Sequence, residues 1–92
     1  MRYEWDEAKN LINRAKHGLD FADAEHVLSG PCVTFVDERF NYGEVRFLTL
    51  GNLAGRVVVI AHTTRGSASR IISMRKANRR EQKIYQERCR AT

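Results

Sequence analysis

The apolar periodicity of this chain changes from helical to alternating at Gly30-Pro31. Before that point apolar residues recur at helical spacing; after it they alternate, as half-buried strands do. Four such segments follow closely: Cys32–Val36, Val45–Leu50, Arg56–Thr64 and Ser69–Arg75. They are joined by Asp37–Glu44, Gly51–Gly55 and Arg65–Ala68. Links this short fit hairpins, whereas a parallel pair needs a crossover of about a dozen residues or more. The spacing therefore predicts a four-stranded antiparallel meander. Val57-Val58-Val59-Ile60-Ala61 is apolar on both faces, which assigns the third strand to the middle of the sheet, covered on each side.

Helices flank the strands. Asp6 is suited to cap a first helix, whose Ala8, Leu11, Ile12 and Ala15 fall on one face and which Gly18 ends. Asp20, with Asp23 three residues on, opens a second short helix with the stripe Phe21, Ala24, Val27 and Leu28. From Lys76 to about Arg90 the chain has no Gly or Pro and reads as a third helix. The expected architecture is α+β: two N-terminal helices, the four-stranded antiparallel meander and a C-terminal helix packed on it. Ninety-two residues are too few for two cores, so residues 1–92 are expected to be one domain.

Charge narrows the function. Residues 1–44 hold five Lys/Arg against nine Asp/Glu, and residues 45–92 hold eleven against two. A strongly basic half is the footprint of a polyanion binder, although charge runs also serve only as solvated surface. Cys32 and Cys89 form no C-x-x-C and make no disulfide framework. With no signal-like opening and no membrane-length apolar run, a reducing cytoplasm and no membrane partner are expected. Three scattered histidines, no H-E-x-x-H and no acidic cluster in the basic half argue against a metal site, and no cofactor is expected. Gly51–Gly55 joins two strands with no Gly-Lys-Ser/Thr after it, and the serines lie in no G-x-S-x-G context.

The candidate chemistry lies in the basic half. Glu81 shares the apolar side of the last helix with Ala77, Ile84 and Tyr85. A carboxylate facing a sheet is costly unless paired. Its natural partners are Arg65, Arg70 or Arg75, in an ion pair that pins the helix or in a group that orients arginines or acts as a base. By strict alternation Arg70 and Arg75 point to opposite faces of their strand. Arg46 lies in line with Leu48 and Leu50. Arginines converging from neighbouring strands would build an anion site. Lys16-His17-Gly18 closes the first helix, and its cations suit a helix C-terminus without any further role.

Trp5-Asp6, Lys9, Asn13, Lys16-His17-Gly18, Phe21 and Ala24 resemble the opening of the BrnT family of toxin–antitoxin ribonucleases. Gly43-Glu44, Arg46-Phe47, Gly51 and Thr64-Arg65 continue the match. Arg70-Ile71-Ile72-Ser73, Arg75, Ala77, Glu81 and Tyr85 complete it. Glu7, Ser69 and Met74 depart from the family's usual residues, and 37–43 does not align. The resemblance implies a RelE-like fold and RNA cleavage that arrests translation. It also implies a cognate antitoxin with a ribbon-helix-helix DNA-binding domain, the complex rather than the toxin binding operator DNA.

On that basis the reaction expected is metal-independent, with the 2′-OH of RNA as nucleophile. Arg65 and Arg75 are assigned as phosphate clamps, and Arg46, Arg70, Arg79 and Arg80 to RNA binding. Glu81 is the candidate base or arginine-orienting group. Tyr85 is a proton donor or stacking group, and Lys16 and His17 reach in from the first helix. The competing readings are a non-catalytic nucleic-acid-binding module, with Phe40, Tyr42 and Tyr85 as stacking groups, and a domain that docks an acidic protein.

Overall fold

A computed structural model describes residues 2–39 and 41–90, the side chain of residue 90 excepted; Phe40 lies outside the described residues. Among them the chain builds β1 (Arg2–Trp5), α1 (Glu7–His17), a 3₁₀ turn (Phe21–Asp23) and α2 (Ala24–Leu28). β2 (Cys32–Val36), β3 (Arg46–Leu53), β4 (Arg56–Arg65), β5 (Ala68–Lys76) and α3 (Arg79–Arg90) follow. The sheet order is β1-β5-β4-β3-β2. β2 to β5 form the antiparallel run that the short links require.

The expected order, two N-terminal helices and then a sheet of four antiparallel strands alone, is not what forms. The sheet has five strands and is mixed, because β1 pairs in parallel with β5. Arg-Tyr-Glu-Trp is too short to show a period, and its partner lies more than sixty residues away, so local links carry no trace of the pairing. Its alternation is nonetheless used. Tyr3 and Trp5 join the core on the α1 side, and Glu4 stands opposite Arg70 on the other face.

Local signals set the helix ends. The Asp6 carboxylate accepts from Ala8 N and Lys9 N at 2.9 and 3.2 Å. Gly18, at φ 71°, takes the left-handed position that ends α1. α3 starts later than its composition predicts, because β5 runs on to Lys76 and Asn78 opens the helix. Asn78 Oδ1 accepts from Glu81 N, and Glu81 Oε1 accepts from Asn78 N, a reciprocal capping box.

β4 is central, as its doubly apolar run predicts. Val58 and Ile60 meet Phe21, Ala24, Val27, Ile71 and Met74 on one face. Val59 meets Leu50 and Ala77 on the other, with Phe35, Leu48, Ile84 and Tyr85 around them. Burying an apolar side chain of this size contributes about 1.5–3 kcal/mol. β3 continues through Gly51 to a two-residue turn at Ala54-Gly55. Gly51 is buried beneath α2, where a Cβ would run into Val27 Cγ1, so the position has no room for a side chain.

α1 inverts the usual amphipathic rule. Ala8, Leu11, Ile12 and Ala15 are all exposed, Leu11 by 59% and Ile12 by 67%, whereas Asn10 and Asn13 are buried. The helix is held by amide groups. Asn10 accepts from Phe21 N at 2.9 Å and donates to Asp20 at 3.0 Å. Asn13 accepts from Met74 N and donates to Leu19 O. β1 stops opposite Ile71, so the free edge of β5 needs an acceptor, and Asn13 supplies it.

Candidate functional site

A bulge in β5 decides where the arginines point. β5 pairs with β4 through Val59–Arg75, Ile60–Met74 and Ala61–Ser73, then resumes at His62–Ile71 and Thr63–Arg70. Ile72 is the extra residue. Arg70 and Arg75 are five apart, and strict alternation would separate them. Instead they oppose Thr63 and Val59, which lie four apart on β4, so both face the same way. This corrects the expectation of one arginine per face. Arg46 opposes Thr63 from β3, and Arg65 lies two residues beyond Thr63. Arg46, Arg65, Arg70 and Arg75 thus share the face that carries α3, beside rather than beneath that helix, which packs over β2 and β3.

Each guanidinium is steadied by a carboxylate. Arg75 Nη1 and Nη2 donate to Glu81 Oε1 and Oε2, both at 2.8 Å. Arg70 donates to Glu4 at 2.8 Å. Arg46 and Arg65 approach the two oxygens of Glu44 at 3.3 and 3.8 Å. Arg46 also lies 4.0 Å over the Tyr42 ring. A guanidinium has five N–H donors, more than one carboxylate accepts. The pairs therefore fix the forks and leave donors for an anion.

A fifth arginine was not anticipated. Arg39 comes from the segment between β2 and β3, where Nε and Nη2 donate to the two oxygens of Asp37 at 2.9 and 3.0 Å. Its charge acts on both Arg75 and Glu81. No periodicity marks a loop residue, and only its pairing with Asp37, whose N–H donates to Arg46 O beside the arginine strands, brings it here. Tyr42 also donates to Asp37, at 3.0 Å.

Glu81 has both oxygens engaged. Oε1 accepts from Arg75 and Asn78 N, and Oε2 from Arg75. The hydrogen bonds from Arg75 hold its carboxyl below the usual range, with burial opposing. Beside it, Phe35, Leu48, Leu50, Val59 and Ile84 line an apolar hollow of about 210 Å³.

The other candidates lie around this face. Arg79 and Arg80 are exposed in the first turn of α3. Lys16 and His17 line a hollow of about 240 Å³ with Ile12, Asn13, Ile72 and Ser73, at the free edge of β5. Ser73 shares its face with Arg75. Tyr85 is not brought to the arginines by its hydroxyl, which donates to Pro31 O at 3.3 Å. His62 points to the opposite face, where it bonds Thr49 Oγ1 at 2.7 Å and stacks on Phe47. Burial lowers its pKa. Among the described residues no three His, Cys, Asp or Glu side chains group to hold a metal, and no helix is long and apolar enough to cross a membrane.

Acid should loosen the segment that carries Arg39. Asp37 is buried, and hydrogen bonds from Arg39 foremost hold its carboxyl far below the ordinary value. Its folded pKa is depressed, so its contribution is complete above the unfolded value, about 3.9, and is lost as pH falls toward the folded one. Urea midpoints taken from pH 7 down to pH 2 should drop below roughly pH 4. Asp37→Asn should flatten that acid limb, and an unchanged limb would reject the assignment.

A search of curated proteins returned no match. Residues 5–81 match the family model described as "Ribonuclease toxin, BrnT, of type II toxin-antitoxin system". That span runs from the end of β1, through the helices and the whole antiparallel run, to the Glu81 that grips Arg75. The match covers most of the chain and all four arginines that the bulge and its neighbours align, so the chain belongs to the BrnT family of ribonuclease toxins from type II toxin–antitoxin systems.

Proposed function

We infer that the arginine face of β3, β4 and β5 binds the RNA backbone and that the reaction is a metal-independent endonucleolytic cut. The observation that carries this reading is the bulge at Ile72, which gathers Arg70 and Arg75 with Arg46 and Arg65 on one face. The 2′-oxygen attacks the adjacent phosphorus and the bond to the 5′-oxygen breaks, leaving a 2′,3′-cyclic phosphate and a 5′-hydroxyl. Arg75 and Arg65 bind the phosphoryl oxygens, where negative charge grows, and Arg46, Arg70, Arg79 and Arg80 bind flanking phosphates.

Glu81 acts by orienting Arg75 rather than as the base, because both its oxygens are occupied and its proton affinity is lowered. The proton leaving the 2′-OH and the proton reaching the 5′-oxygen need other carriers. His17, with Lys16 beside it at the edge of β5, is the imidazole nearest in kind to that task. Cleavage of cellular RNA by such a toxin arrests translation. The antitoxin of the pair supplies a ribbon-helix-helix domain, and the complex rather than the toxin represses the operon; family membership supports this part.

The test is direct. Purified protein, freed of antitoxin, is incubated with end-labelled RNA in EDTA. Fragments ending in 2′,3′-cyclic phosphate support the reading. Salt-sensitive RNA binding without cleavage, on free RNA and on translating ribosomes alike, would replace it with a binding module.

A further inference from the structure

The outward face of α1 is apolar, and none of the described residues covers it. At roughly 100° per residue, Ala8, Leu11, Ile12 and Ala15 form a stripe opposite Asn10, Asn13 and His17, which face the protein. Such a stripe costs solubility when left bare, and α1 does not need it for docking, since Asn10 and Asn13 do that work. Lys9 and Lys16 border the stripe on the side facing β5, where they and Ile12 open onto the hollow formed with Ile72 and Ser73. On the other side the border is Arg14, beside Glu7. The surface is therefore an apolar strip with a cationic margin on its β5 side, while on the other side Arg14 is balanced by Glu7 and Asp20.

We propose that this face of α1 seats the antitoxin, through a segment with apolar residues at helical spacing and acidic residues set against Lys9 and Lys16. The inference rests on the family membership that supplies an antitoxin partner; the cutting mechanism proposed above does not enter it. A stable complex buries on the order of 1,000 Å² or more, beyond what an 11-residue helix presents. The segment therefore runs on past Ile12 into the hollow at the edge of β5. Helix against helix fits the geometry, since two helices pack with axes about 8–10 Å apart when small residues such as Ala8 and Ala15 lie between larger ones.

The experiment uses the purified toxin and its cognate antitoxin, with affinity read by calorimetry at two salt concentrations. Leu11→Glu with Ala15→Glu places two carboxylates in the apolar strip. Neither residue belongs to the arginine face or to the hollow that holds Lys16 and His17. The double variant should melt as the wild type does and bind the antitoxin about 100-fold or more weakly. Lys9→Glu should weaken binding less and reduce its salt dependence. Affinity of the double variant within about threefold of wild type overturns the proposal, as does a wild type that does not bind the antitoxin. So does a wild-type self-dimer that the double variant breaks while antitoxin affinity holds, because a second copy would then be the occupant. RNA cleavage by the same variant is a separate readout. Loss of antitoxin binding with cleavage intact supports both readings. Loss of antitoxin binding by a protein pair that never cuts RNA supports the docking face and removes the nuclease mechanism alone.

Discussion

Arg75→Ala should lower RNA cleavage by roughly 10²–10³-fold in a protein that remains folded. Arg75 stands on a central pair of strands, opposite Val59, with both terminal nitrogens on Glu81. A fork held this way meets a phosphorane without rearranging, which is where an enzyme gains most from a fixed charge. The fold should survive for two reasons. The ion pair is about a third exposed on the arginine side, so solvent screening leaves it worth about 1 kcal/mol or less. Glu81 also keeps its backbone bond from Asn78, so α3 retains its cap. Arg75→Lys retains the charge and loses the planar fork, and should recover only part of the activity. Glu81→Gln, which loosens Arg75, should lower the rate without moving the pH dependence, whereas loss of a general base would remove one limb of the profile. A folded Arg75→Ala protein cutting at the wild-type rate would take Arg75 out of the site.

Asn13→Leu should destabilise the protein by roughly 2–6 kcal/mol, because each buried polar group left without a partner costs about 1–3 kcal/mol. Met74 N, which is buried, and Leu19 O, which is partly buried, would both lose their partner. Leu11→Gln, on the same helix, should change stability by about 0.5 kcal/mol or less, since Leu11 is exposed. For an ordinary amphipathic helix the order would be the reverse: the leucine would matter and the asparagine would not. Denaturant titration of the two variants decides it. If Leu11→Gln is the more damaging, α1 lies the other way round and the docking face loses its basis.

Much was legible in the residues. Asp6 and Gly18 bound α1 because capping chemistry is local. Phe21, Ala24 and Val27 turn inward as their spacing indicates. The short links between Cys32 and Arg75 enforce hairpins, and the doubly apolar run places β4 in the centre. The pairing of Glu81 with an arginine follows from the cost of a carboxylate against a sheet, although three arginines were open to it.

What the chain determined by itself is thus whatever depends on neighbours within a few residues: caps, periods, turns, and the charge division between its halves. Tertiary structure decided the rest. β1 exists only because the edge of β5 offers it hydrogen bonds from the far end of the chain. Arg70 and Arg75 share a face only because Ile72 is pushed out of register between two paired strands, and one unpaired residue reverses every side chain beyond it. Arg39 joins them because Asp37, bonded to Arg46 O, holds it there. The apolar stripe of α1 faces water because the edge of β5 and the turn at Phe21 required amides rather than methyl groups. A period specifies which residues lie together, but which side of a helix or strand faces the protein depends on what the rest of the chain leaves unsatisfied there.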